Sequence, residues 1–258
     1  MRITSGVIPS AQKCVIYGVE GVGKSTLAAE FAEPLFIDTE GSTKHMDVKR
    51  LPTPDNWTML LEQVRYVYLN PTACRTLVID TADWAERLCI SHICAVHQVD
   101  SIEKILNGYG KGYVVLAEEF GNLLNLLTDV VGKDVNVVMT AHAQIKKFEQ
   151  PDEALAYDRW ILKLGKQTSP LVREWADMVL FANYKTIAVK SEATKTPKGA
   201  GGKRTLFTSH KPAFDAKNRH GLPDELPFED GRGNPIMPAE LLAAVPPMAS
   251  SAAAPQRT

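Results

Sequence analysis

Residues 17–26, YGVEGVGKST, place Gly18, Gly21, Gly23, Lys24, Ser25 and Thr26 within the pattern G-x-x-x-x-G-K-[ST]. In such a loop the glycines let backbone N–H groups close around phosphate oxygens. The lysine reaches the outer phosphates, and the hydroxyl is a ligand for magnesium. A strand-like run, CVIYG, enters the loop and a helical stretch leaves it near Lys24, the context that separates a phosphate site from a chance glycine turn. Two acids extend the chemistry. TLVID ends in Asp80, at the carboxyl end of an apolar strand, where a second magnesium-associated carboxylate belongs. FIDTEGS carries Glu40 just past the end of another strand, on the edge where a parallel sheet would also expose the phosphates. There it could polarise an attacking water, or it could be a solvated turn carboxylate ahead of Gly41; position alone leaves both open.

These residues need a sheet that brings several strand ends to one edge. Apolar, β-rich runs recur along the chain: KCVIYG, PLFIDT, TLVIDT, VNVVMTAH, DMVLFANY, TIAVKS and RTLFTS. The first four are nearly continuous hydrophobics, as in parallel strands covered on both faces. Helical stretches are expected at 24–33, 55–68, 82–99 and 113–131. The alternation predicts an α/β fold, a three-layer arrangement with a mainly parallel sheet and right-handed crossovers, and the glycine loop within it makes the expectation a P-loop NTPase core. The later strands leave little room for helices, so antiparallel additions are expected at the C-terminal side. SEATKTPKGAGGKR, residues 191–204, has turn formers and cations but no apolar period, and reads as a mobile hairpin loop. The organisation expected is an N-terminal arm over 1–12, the core over 13–234, and a disordered Ala/Pro-rich tail over 235–258.

At 258 residues and 45% hydrophobic content the chain suits one large α/β domain. A formal net charge of −1 confines any nucleic-acid contact to local patches. MRITSGVIPSAQK lacks the apolar stretch of a signal peptide, and no later run approaches the roughly 18 to 20 apolar residues of a membrane helix. The expectation is a soluble, cytoplasmic protein without a membrane partner. Cys14, Cys74, Cys89 and Cys94 show no disulfide-framework spacing and read as reduced thiols. CISHICAVH concentrates Cys89, His92, Cys94 and His97, but on a helix Cys94 lies about 200° beyond His92, so the four cannot converge on one zinc.

YGVEGVGKST, FIDTEG and LVIDTAD together resemble the RecA-type recombinase core, whose members carry a water-activating glutamate in a near-identical segment. The resemblance implies Glu40 as the catalytic base. It also implies a γ-phosphate sensor at the end of the strand in VVMTAHAQ, which here is His142 where recombinases usually have glutamine. AKNRHG resembles the segment in which RecA-fold hexameric helicases place a K-x-R pair. It implies Lys217 and Arg219 as cations reaching the γ-phosphate held by a neighbouring subunit. More narrowly, YGVEGVGKST, YGKGY, MTAHAQ, REWADMVLFANY and KNRHGLPDELPF, across most of residues 12–230, resemble phage-encoded stripped-down RecA cores. Some of these are described as single-strand annealing proteins of the Sak group, fourth type.

RecA-like cores hold single-stranded DNA with two loops. The first maps to NGYGKGY, with Tyr109, Lys111 and Tyr113. The second maps to residues 144–167, where Lys146, Lys147, Arg159, Lys163 and Lys166 alternate with Phe148, Tyr157 and Trp160. YDRWILKLG could equally pack Trp160, Ile161 and Leu164 into the core with its charges solvated. The leading reading is an oligomeric ATPase, ring or filament, using ATP and Mg2+ and acting on single-stranded DNA in annealing or strand exchange, with a single-strand binding protein as a further partner. A small-molecule kinase would use the same phosphate loop with a cationic lid. A non-hydrolysing switch or loader for a replication protein would bind nucleotide without turnover.

Overall fold

The structure, a computed structural model, describes residues 3–6, 8–149, 156–189 and 198–245. Its first half comprises β1 (Lys13–Gly18), α1 (Lys24–Ala29), β2 (Pro34–Asp38), β3 (Lys49–Arg50), α2 (Trp57–Leu69), β4 (Thr76–Asp80) and α3 (Ala82–Val96). There follow α4 (Lys111–Val131), β5 (Asn136–Phe148), β6 (Tyr157–Leu162), α5 (Thr168–Trp175), β7 (Met178–Val189), β8 (Lys198–Phe207), β9 (Glu225–Pro227) and α6 (Ala239–Ala244). One sheet runs in the order β3-β2-β4-β5-β1-β7-β8-β9, with β6 paired to β5 off that path. The strands from β3 to β7 are parallel, and β8, β9 and β6 are antiparallel to their neighbours.

The parallel strands are covered on both faces, as their unbroken apolar runs require. Val15, Ile16 and Tyr17 of β1, Leu77, Val78 and Ile79 of β4, and Val137, Val138 and Met139 of β5 have no exposed surface. One face packs on α2, α3, α4 and α5. The other packs on α1 and on Leu222, Leu226, Phe228 and Leu241 from the C-terminal part. The apolar stripe of α4 (Leu116, Phe120, Leu123, Leu124, Leu127, Val130) shows the three- and four-residue spacing of a helix with one buried side. Register decides the site. Gly18 pairs with both His142 and Ala182, and Asp38 pairs with Asp80. The phosphate loop, Asp80, the Glu40 segment and His142 therefore all leave the sheet at its carboxyl edge, where ligands of open α/β sheets bind.

Several expectations need correction. The strands expected in DMVLFANY and TIAVKS are, over Met178–Val189, one strand, β7, which outruns the parallel sheet and continues as a two-stranded ribbon with β8. Of the expected loop over 191–204, residues 198–204 belong to β8. A ladder held by backbone hydrogen bonds needs no apolar alternation, so glycines and cations there hide a strand. Residues 191–197 lie outside the described residues. Of the tail expected from 235, residues 235–245 are ordered, with Leu241 and Val245 buried against the sheet, and residues 246–258 lie outside the described residues. Nor does the strand carrying His142 end there. It continues to Phe148 and pairs antiparallel with β6, so residues 144–148 and 157–162 of the second expected DNA loop are strand, while 150–155 lie outside the described residues. Among the described residues no helix is long and apolar enough to cross a membrane.

Candidate active site

The phosphate loop joins β1 to α1, and its shape follows from three glycines. A Cβ on Gly18 would lie 2.0 Å from the Ala182 carbonyl oxygen, so only glycine lets β7 approach this closely. Gly21 (φ 70°) and Gly23 (φ 99°) hold left-handed backbone, the latter at the cap of α1. Behind the loop, Arg204 Nε donates to the Val22 carbonyl at 3.0 Å, Tyr184 reaches the Gly21 carbonyl at 3.3 Å, and Pro235 packs against Gly23. The Lys24 ammonium, nearly buried, donates to the carbonyls of Gly18 (3.2 Å) and Val19 (3.0 Å). Burial lowers its pKa, and the carboxylates of Asp80, Asp83, Glu40 and Glu20 work against that shift.

Asp80 ends β4 with no exposed surface. Thr140 Oγ1 donates to its Oδ1, while Oδ2 is buried without a hydrogen-bond partner. The Ser25 hydroxyl approaches this carboxylate without completing a full hydrogen bond. Burial raises the Asp80 pKa, and Thr140 and Ser25 oppose the rise. An unpartnered anionic oxygen beside a hydroxyl is the hard-oxygen donor set that suits Mg2+, and Ser25 and Asp80 fit that ion.

Asp38, one strand over, organises the segment that carries Glu40. Its Oδ1 accepts from the backbone of Gly41 (2.7 Å) and Ser42 (3.2 Å), and its Oδ2 accepts from Thr43 N (2.9 Å) and Oγ1 (2.6 Å). Thr39 N donates to the Asp80 carbonyl at 2.8 Å, stapling the segment to β4. Glu40 is thereby held half-buried on a cleft of about 480 Å³ that it shares with Lys24, Ser25, Thr26 and His142. Burial raises the Glu40 pKa, and the His142 ring pulls it back down. His142 is itself clamped. Its backbone N–H donates to Asp83 Oδ1 at 3.0 Å, and its Nδ1 lies 2.9 Å from Asp83 Oδ2.

The structure thus brings together Gly18, Gly21, Gly23, Lys24, Ser25, Thr26, Glu40, Asp80 and His142. Asp38, Thr140 and Asp83 were not among the expected residues. The two aspartates stand at a strand end and in a first helical turn, and those positions are the signal that could have found them. The other expected residues lie elsewhere. Tyr109 is 99% exposed, Lys111 opens α4, and the half-buried Tyr113 donates its hydroxyl to Glu103 at 3.4 Å. Lys146, Lys147 and Lys163 are exposed on or beside the β5–β6 hairpin. Arg159 is not available as an outward contact: it is 7% exposed and ion-paired to Asp215, which also takes Arg173 at 2.6 Å. A buried guanidinium must keep its carboxylate, so the residue belongs to the framework.

Lys217 and Arg219 sit at the amino-terminal end of β7, away from the phosphate loop of their own chain. The Lys217 backbone pairs with Val179, and its ammonium donates to the carbonyls of Arg173 (2.7 Å) and Glu174 (3.4 Å) at the end of α5. Burial lowers the Lys217 pKa, and neighbouring Arg219 adds to the shift. Arg219 is paired to Asp177 at 3.2 Å.

A glycine loop between a central strand and a helix, a buried carboxylate on the next strand but one, and an acid on the same edge define a P-loop nucleoside triphosphatase. The chain belongs to the AAA-domain family, whose model matches residues 10–220. It is a nucleotide-binding ATPase domain. No curated protein matches it.

Proposed function

We propose that this ATPase hydrolyses ATP with Mg2+ as an oligomer on single-stranded DNA, promoting annealing or strand exchange in phage-type recombination. The observation that carries the hydrolytic part is the convergence of Lys24, Ser25, Glu40 and His142 on one cleft, with the buried Asp80 carboxylate behind Ser25 and Lys24. Lys24 leaves its loop carbonyls to meet the β- and γ-phosphate oxygens. Bound at Ser25 and Asp80, Mg2+ would neutralise charge on the phosphates. Glu40 takes a proton from the water whose oxygen forms the new bond to the γ-phosphorus. The bond to the β–γ bridging oxygen breaks, and ADP leaves with that electron pair. Because burial raises the Glu40 pKa, turnover should fall as pH drops through a point above the ordinary glutamate value, where the base becomes protonated.

Support for the DNA part comes from continuity. The strand that holds His142 in the cleft runs on to Lys146 and Lys147, exposed cations on a hairpin with Phe148 beside them. Phosphate contacts and aromatic stacking are what sequence-tolerant single-strand binding uses. The test is ATP turnover with and without single-stranded DNA over a salt series. Stimulation that weakens steeply with salt is expected. Turnover without any DNA effect would remove the DNA assignment, and nucleotide binding without turnover would make the protein a switch or loader.

A further inference from the structure

Asp83 closes the segment LVIDTAD, in which only Asp80 has an expected role. It is the second residue of α3, 7% exposed, and both of its oxygens are committed to one partner, the backbone N–H and ring of His142. Burial pushes the Asp83 carboxyl up, but hydrogen bonds from the His142 ring and backbone hold it below the usual carboxylate range. An ionised carboxylate can only accept. Nδ1 of His142 must therefore carry a hydrogen, which fixes both tautomer and ring plane and leaves Nε2 as the nitrogen free for the cleft. The same helix carries Glu86 one turn further on, whose two oxygens each lie 3.0 Å from Gly165 N, so α3 also holds the chain that returns from β6. The ring is held by a helix that starts two residues after Asp80, at the scale of rigidity a positioned site needs.

We propose that Asp83 is a positioning residue of the hydrolytic site, acting through His142 by holding its ring as the Nδ1–H form with Nε2 turned to the cleft beside Glu40. This rests on the reading of the cleft as the place of ATP hydrolysis. The carboxylate acts through its two contacts to His142: its effect is to remove the alternative tautomer and ring flip in which Nδ1 would face the cleft.

Long-range 15N–1H spectra of histidine-labelled full-length protein, with turnover and ATP affinity, test this in Asp83→Asn. The expected result is an Nδ1-protonated His142 in the wild type and a mixture with the Nε2–H form in the variant. The variant's ATP affinity should stay within about twofold, while kcat drops roughly 10- to 100-fold, the usual effect of losing a carboxylate that orients a functional histidine. In a His142→Gln background the same change should cost nothing further, since a residue that acts through another loses its effect when that other is gone. A neutral Nε2–H ring in the wild type would overturn the proposal, and that spectrum decides even if the variant does not fold. So would a kcat loss of equal size in both backgrounds, or one matched by an equal loss of affinity. A wild type without turnover would sink the hydrolytic reading instead, and the two ring spectra would still decide the role of Asp83.

Discussion

At Asp38 a single carboxylate accepts four hydrogen bonds from the segment that carries Glu40. Burial alone would raise its pKa, but the bonds from Thr43, Gly41 and Ser42 outweigh burial and bring it below the ordinary value. A carboxyl depressed in the native state contributes stability that is complete above its unfolded pKa of about 3.9 and is lost as pH falls through the native value. Asp38→Asn should therefore cost about 1 to 3 kcal/mol at pH 7, with the difference from wild type shrinking below pH ~4. Urea denaturation at both pH values measures this, and a pH-independent gap would contradict it. Two loop glycines make a second contrast. Gly18→Ala forces a Cβ onto the Ala182 carbonyl and should lose about 1 to 3 kcal/mol by overpacking. Gly21→Ala meets nothing within 4 Å and should lose only the ~1 to 2 kcal/mol of its left-handed backbone, seen as a smaller drop in melting temperature.

Elements are joined to one another through buried charge. Asp215 ties Arg159 of β6 to Arg173 of α5, and its backbone carbonyl accepts from the Tyr17 hydroxyl of β1 at 2.6 Å. Asp215→Ala would leave two guanidiniums facing each other and should cost about 3 to 5 kcal/mol. Hydrogen exchange should rise first in β6 and α5; unchanged protection there would contradict the assignment. This node also shows where sequence stops being informative. The runs of β1, β2, β4 and the inner half of β5 were legible because burial on both faces leaves an unbroken apolar signature. That Asp80 and Glu40 lie on one edge was legible because strand ends can be counted, whereas position left the role of Glu40 open and only the resemblance implied it as a base. Arg159 was misread because a cation between aromatics looks the same whether it faces solvent or an aspartate 56 positions later. Asp83 stayed hidden for a like reason: His142 is 59 positions away, and only the sheet brings them together. In α5, TSPLVREW buries Thr168, Ser169 and Val172, a face too short and too polar for apolar period to reveal. Pro235 looked like the start of a tail, whereas it packs on Gly23 of the phosphate loop.

For the whole molecule, what matters is which edge of the sheet each charge occupies. The phosphate loop leaves the carboxyl end of β1, while Lys217 and Arg219 stand beside the first residues of its parallel neighbour β7. Cations at the opposite edge cannot neutralise a phosphate bound in their own chain, so the γ-phosphate role that the resemblance implies for Lys217 and Arg219 would need a second copy to present them. The local energetics make this testable. Arg219 has 63% of its side chain exposed and a single surface ion pair with Asp177, a contact worth at most about 1 kcal/mol. Arg219→Ala should therefore keep its melting temperature and its ATP affinity while turnover falls by a factor on the order of 10³, the lower end for such a group. Lys24→Ala should be equally inactive by losing the phosphate contact. Mixing the two inactive proteins gives the decisive measurement. If the site is shared, about one interface in four of a random equal mixture pairs an intact Lys24 with an intact Arg219, and turnover returns toward that share of wild type. A mixture as inactive as its components, under conditions where wild-type subunits exchange, would mean that Arg219 does not act across subunits.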